Sequence, residues 1–347
     1  MENLRDFHQI VCPHSEKNPR NSEGDLIQLP DGRILLAWSN FEDGFADHSY
    51  GYIAGKTSSD GGYTWSEPFI LQENTGKFNV MSVSLLPSGK DILLFYLKKD
   101  GVNHDLHCYM KRSSDCCKTW SDPVKVSTVD GYNVVNNARV IRTESGRIIV
   151  PAACSKPSSN NNSAVGICYY SDDDGVTWQR SKESVILENS HTGVQEPGLV
   201  ELSDGSIMMI IRSDKGYIYK SKSYDKGDTW TTPEPMPLVS CCSPATIKRI
   251  PDTNKLLIIW NPSVYGKYAK WSDRWPLCSA ISEDEGETWK SVKYLEMSPE
   301  KCHAYTSITF IEQKVYLTYY EWYNLATNKD FEGTSLKLRI IDKEWFY

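Results

Sequence analysis

The strongest constraint on the fold of this chain is an eight-residue pattern, S-x-D-x-G-x-T-W, that returns along most of its length. It reads SSDGGYTW at Ser58–Trp65, SDDDGVTW at Ser171–Trp178, SYDKGDTW at Ser223–Trp230 and SEDEGETW at Ser282–Trp289. A fifth copy, SSDCCKTW at Ser113–Trp120, carries Cys117 where the others carry glycine. Successive copies begin 52 to 59 residues apart. A repeat of that period marks a chain of equivalent supersecondary units. The residue types describe a tight turn. The aspartate accepts backbone N–H bonds, the glycine takes a left-handed conformation, and the tryptophan closes the turn onto the core. The run D-x-G alone lacks the further oxygen ligands of a calcium loop, so the pattern reads as a structural staple.

A second signal alternates with the first. Apolar run, turn and apolar run recur in LIQLPDGRILLAW, SVSLLPSGKDILLFYL, RVIRTESGRIIVPAA, LVELSDGSIMMIIR, TIKRIPDTNKLLIIW and SITFIEQKVYLTYY. Their turns centre near Asp31, Ser88, Ser145, Asp204, Asp252 and Glu312. Turn dipeptides between β-rich runs mark hairpins. Six hairpins with five boxes between them predict six four-stranded units. That is an all-β, six-bladed β-propeller with Asp-box repeats, occupying 1–347 as a single domain. The chain's 11 tryptophans and 20 tyrosines suit strands whose flat faces pack together.

Composition excludes several partners. A net charge of −7 repels nucleic acid and anionic membrane surfaces. No run approaches the roughly 18 apolar residues of a membrane span. The opening MENLRDFHQIVCPHSEK has acidic residues and no apolar centre. It therefore reads as a cytoplasmic chain, or as a secreted one whose leader has been removed. The ten cysteines are irregularly spaced, with vicinal pairs at Cys116-Cys117 and Cys241-Cys242, and read as reduced thiols. HDLHC, His104 to Cys108, has no partner cluster, so no metal is expected.

In a propeller the units surround a channel, and ligands bind at one end of it. Counting eight residues back from each hairpin turn gives Glu23, Val80, Asn137, Glu196, Pro244 and Ala304. Glu196 and Asn137, with the neighbours Arg20 and Tyr305, are thereby expected at one rim. Eight residues forward from Asp204 lies Arg212, across the hairpin from Glu196. The two read either as an ion pair or as working groups at a channel mouth.

Taken together these residues resemble the sialidase (neuraminidase) superfamily over essentially the whole chain, as a divergent branch. Glu196 to Arg212, EPGLVELSDGSIMMIIR, resembles the stretch that carries the catalytic glutamate and an arginine of the substrate-binding triad. Arg274, between Asn261 and Trp289, resembles the third triad arginine. Tyr305 in HAYTSITF resembles the nucleophilic tyrosine, and Asp47 in ADHSYGYIAGKTSSDGGYTW the acid/base aspartate. The first triad arginine departs from the pattern. The family's Phe/Tyr-Arg-Ile-Pro is here Asn18-Pro19-Arg20-Asn21-Ser22-Glu23, with Arg20 about two residues farther from its hairpin turn. Arg139, in NNARVI, is the alternative.

The resemblance implies a hydrolase of the glycosidase class. Arg20, Arg212 and Arg274 would clamp a sugar carboxylate. Tyr305 would act as a neutral nucleophile, avoiding repulsion by that carboxylate, and Glu196 would take its proton. Asp47 would protonate the leaving oxygen; Glu42 and Asp43 compete with it from the same loop. His48, Asn137 and Gln195 are further substrate contacts. No cofactor is implied. The expected partner is a sialylated or other acidic glycan. Three readings stand: release of terminal sialic acid, hydrolysis or elimination on another acidic sugar such as a uronate, and non-catalytic carbohydrate binding.

Overall fold

The computed structural model describes residues 6–155, 163–263, 274–323 and 333–347. Among them the chain is all-β, with one 3-10 turn at Lys343–Phe346 and no α-helix. The strands form three four-stranded antiparallel sheets and one sheet of 13 strands, and the latter divides into three further antiparallel sets linked by the parallel bridges Gly51–Asn79 and Leu106–Tyr132. The innermost strands are Arg20–Gln28, Asn79–Ser88, the interrupted pair Tyr132–Val134 and Ile141–Arg142, Gln195–Glu201, Thr246–Arg249 and Lys301–Ile311. The sixth set takes its outermost strand, Asp6–Cys12, from the other end of the described chain, paired with Ser335–Asp342.

Six apolar layers lie between consecutive sets. Leu35 and Ile53 meet Leu85 and Leu94 between the first and second. The series continues around the molecule. Its last layer, with Val11, Trp38, Leu336 and Ile340, joins the sixth set to the first. This arrangement explains the strand patterns. Ile34–Phe41, second in its set, is covered on both faces and buried at every residue. Glu234–Val239, outermost in its set, alternates at its end between exposed and buried. Each fully buried aliphatic side chain in these layers contributes roughly 1.5–3 kcal/mol.

All six expected hairpins are present, and the five boxes share their serine, aspartate and threonine hydrogen bonds, while the tryptophan N–H bond to the turn carbonyl is made by Trp65, Trp178 and Trp230. In the first, Ser58 Oγ donates to Asp60 Oδ1 at 2.7 Å and accepts from Gly62 N at 2.8 Å. The Thr64 hydroxyl and amide both donate to Asp60, and Trp65 Nε1 reaches Gly62 O at 3.0 Å. In the irregular box Cys117 takes the left-handed conformation itself, with φ of 66°, and its amide still reaches Ser113 Oγ. Each box follows the third strand of its set. It therefore lies at the same end as the hairpin turns, away from the ends where Arg20, Glu196 and Tyr305 sit.

The eight-residue count needs correction. Four innermost strands carry a bulge, at Ser22/Asp25, Met81/Ser84, Gln195/Gly198 and Ala304/Ser307. Within them, Glu23, Ser82, Glu196 and Tyr305 have positive φ, and Ala138 shares this conformation in the third set. The equivalent residues are thus Ser82, Ala138 and Tyr305, where counting gave Val80, Asn137 and Ala304. Turn length differs between hairpins, and one extra residue on one strand changes which face a side chain takes.

Candidate active site

The bulges build the site. A bulge bends its strand and re-aims one side chain, here Glu23, Glu196 and Tyr305. All three line a cavity of about 870 Å³, together with Arg20, Asp47, Gln195, Arg212 and Arg274. Left-handed φ at non-glycine residues costs of order 1–3 kcal/mol each and persists where the surroundings over-determine it. Asn137 supplies part of that restraint. Its buried carboxamide donates to Gly24 O at 2.7 Å and to Tyr305 O at 3.0 Å, tying two bulges together.

At the centre, the Tyr305 hydroxyl donates to Glu196 Oε1 at 2.9 Å. Arg212 Nη1 donates to Glu196 Oε2 at 2.5 Å. Burial, followed by the Glu196 charge, pushes the Tyr305 phenol above its ordinary range, while Arg274 and Arg212 draw it back in part. The phenol therefore holds its proton at neutral pH and presents it to Glu196. Arg274 is buried among aromatic rings. Its guanidinium carbon stands 5.3 Å from the Tyr305 ring centroid and 5.8 Å from that of Trp322, and Nη1 donates to the Tyr320 hydroxyl. Among the described residues, neither Arg212 Nε nor Arg274 Nε has a partner.

Arg20 reaches the cavity despite its irregular position. Its strand enters extended, with Arg20 paired to Phe41 before the bulge begins. The guanidinium donates to Glu23 Oε1 at 2.6 Å, Asp47 Oδ1 at 2.7 Å and Phe45 O at 2.9 Å. Burial alone would lower its pKa, but the charges of Glu23 and Asp47 outweigh that and raise it. The Arg20 charge in turn holds the Asp47 carboxyl below the usual carboxylate range, against a smaller opposing effect of burial. Arg139 is not on the cavity wall. It is buried, donating to Thr246 Oγ1 at 2.8 Å and Ala245 O at 2.7 Å.

Two expected contacts lie elsewhere. His48 is exposed and packs edge-on against Phe78, with centroids 6.4 Å apart. Asn137 sits beneath the cavity, while its neighbour Asn136 lines it. Gln195 is on the wall and accepts the Cys242 thiol at 3.5 Å. Of the loop carboxylates, Asp47 lines the cavity, whereas Glu42 and Asp43 are absent from its wall. Tyr320, Trp322, Cys242 and Tyr132 also line it and carry no motif in the sequence. Tyr320 had one available signal: it pairs with Ala304, beside Tyr305, across the sixth hairpin.

The family described as the BNR repeat-like domain matches residues 52–317. A sialidase of Clostridium perfringens is 28% identical over 241 residues, covering 60% of this chain and 60% of that protein. The chain thus spans about 60% of that relative's length. Among solved structures, Trypanosoma rangeli sialidase superposes with a TM-score of 0.77 at 15% identity, covering 98% of this chain and 60% of that one. A Dyadobacter fermentans protein of unknown function superposes with a TM-score of 0.76 at 18% identity, covering 98% of both chains. The fold is shared with these proteins.

Proposed function

The chain belongs to the BNR repeat-like domain family, on a divergent sialidase-like branch, and on that premise we propose that it is an exo-acting, retaining glycosidase releasing a terminal sialic acid. The scaffold is a six-bladed propeller of one domain, a reading supported by the six four-stranded sets and the apolar layer between the sixth and first. The observation that carries the function is the Tyr305–Glu196–Arg212 relay in a cavity shared with Arg20 and Arg274.

The chemistry follows from charge. Guanidinium groups clamp the sugar carboxylate by paired, charge-assisted hydrogen bonds. The Tyr305 oxygen attacks the anomeric carbon as the glycosidic C–O bond breaks. Glu196 takes the phenol proton while Asp47 gives a proton to the departing oxygen. In the second step water attacks the anomeric carbon. Asp47 takes a water proton, the Tyr305–sugar bond breaks, and Glu196 returns its proton to the phenolate. Two displacements retain configuration.

The occupied Arg20 fork favours one second reading, a different acidic sugar such as a uronate. Initial rates on a fluorogenic α-sialoside, beside a panel of uronides, separate the two. The proposal expects turnover of the sialoside. Turnover confined to uronides replaces the substrate. Sugar binding without turnover on any acidic glycoside replaces the enzyme with a binding protein.

A further inference from the structure

We infer that Asp47 is latched by Arg20, and that a substrate carboxylate releases it by taking its place on the guanidinium. The inference rests on the reading of Arg20 as a carboxylate ligand and Asp47 as the acid/base group.

The Arg20 donors are nearly all in use. A guanidinium has five N–H groups. Nε donates to Ser22 Oγ at 2.9 Å, Nη1 to both Phe45 O and Asp47 Oδ1, and Nη2 to Glu23 Oε1. One N–H remains, whereas a carboxylate gripped by two parallel bonds needs two. A present partner must leave. Glu23 is fixed: its side chain is 1% exposed and its second oxygen accepts the Ser22 hydroxyl. Asp47 is not: its side chain is 61% exposed, on the loop between Phe41 and Gly51. The loop backbone is held independently, because Asn79 Nδ2 donates to Asp47 O and Ser49 O, both at 2.9 Å. The carboxylate can therefore swing away while its loop stays in place.

The exchange carries a chemical consequence. While latched, Asp47 faces Arg20, with Lys99 and Arg274 adding positive charge and the Tyr132 hydroxyl nearby. In that field it is ionised at neutral pH and has no proton to give a leaving group. A substrate carboxylate neutralises Arg20 and frees Asp47; the bound sugar then sets a like charge beside Asp47 and excludes water from it, both of which favour the protonated carboxyl, and the proton comes from solvent. Sugars without a carboxylate leave the acid unarmed, so the latch selects for acidic substrates beyond what affinity alone provides.

Calorimetric titration of the intact protein tests this, using 2,3-didehydro-2-deoxy-N-acetylneuraminic acid, whose carboxylate stays ionised from pH 5 to 7. Repeating it in buffers of different ionisation enthalpy counts the protons exchanged. The parent protein is expected to take up part of a proton per ligand, more at pH 5 than at pH 7. Its affinity is expected to fall about three- to tenfold from pH 5 to pH 7. Asp47→Asn is expected to bind with no uptake and a flat pH dependence, and the ligand's methyl ester to bind without uptake. Binding without uptake by the parent, uptake that survives in Asp47→Asn, or uptake with the ester overturns the latch and leaves the carboxylate site standing. No binding of the acid to either protein at millimolar concentration overturns both.

Discussion

Tyr305→Phe removes one oxygen from the centre of the site and keeps the ring against Arg274 and Tyr320. The lost hydrogen bond ran to a carboxylate, a class worth about 1.5–3 kcal/mol. Glu196 keeps its 2.5 Å bond from Arg212 and opens onto the cavity, where water replaces the hydroxyl. The net cost to stability is therefore about 1 kcal/mol, a drop of about 2 °C in Tm for a chain of this size. The guanidinium groups are untouched, so carboxylate affinity stays within about threefold. Turnover falls much further. The nucleophile is gone and Glu196 has no proton to accept, so kcat is expected to drop about 1,000-fold or more. Initial rates on a fluorogenic sialoside, with Tm and ligand Kd measured on the same preparation, test each figure. Turnover within about threefold of the parent, at unchanged Tm, refutes a nucleophilic role for Tyr305. A joint collapse of Tm and binding refutes the claim that the hydroxyl is structurally minor.

Asn137→Ala leaves the Gly24 and Tyr305 carbonyls without their carboxamide donor in a buried setting and is expected to cost about 2–4 kcal/mol, read from urea denaturation midpoints. Gly175→Ala puts a Cβ at φ of 90° and 2.9 Å from Met110 Cε, whereas Gly146→Ala has the same φ with nothing within 4 Å. Both should lose the 1–2 kcal/mol or so of left-handed strain, and the excess for Gly175→Ala reports the contact. Stability is expected to fall at both pH extremes. Burial raises the Tyr305, Tyr319 and Tyr320 phenols in the folded state, so their contribution is complete below the ordinary value of about 10 and declines above it. For Glu321, burial works upward, but hydrogen bonds from His303 and Lys301 prevail and bring it down to about 2. Its contribution is full above its ordinary 4.5 and is lost as pH falls toward 2; Glu321→Gln should flatten that limb of a Tm-versus-pH curve.

The five boxes and six hairpins were legible because their causes are local. A turn is determined by its own residues, so Asp60 with Thr64, or a glycine at positive φ, signals itself wherever it occurs. Even Cys117 kept its place in the pattern, since Ser113 and Asp115 still make the bonds that hold the turn. The pairing of Glu196 with Arg212 was equally legible, because a hairpin brings residues equidistant from its turn to the same level, whatever surrounds it.

What no local pattern carried was the register of the innermost strands and the direction of their side chains. A bulge adds one residue to one strand, and the side-chain period of two turns that single residue into a change of face. Hence Tyr305 took the place counted to Ala304; in the third set Ala138, beside Asn137, takes the left-handed conformation, and His48 lies on a loop outside the innermost strands. The choice between Arg20 and Arg139 was likewise tertiary. Arg139 finds its acceptors on Ala245 and Thr246, two sets away, a contact made only when the sets are assembled, while Arg20 finds Asp47 on a loop of its own set. The repeat by itself determined how many units there are and where they turn. Only their packing decided which few residues meet at the centre, because those contacts join residues more than a hundred positions apart, as between Glu196 and Tyr305.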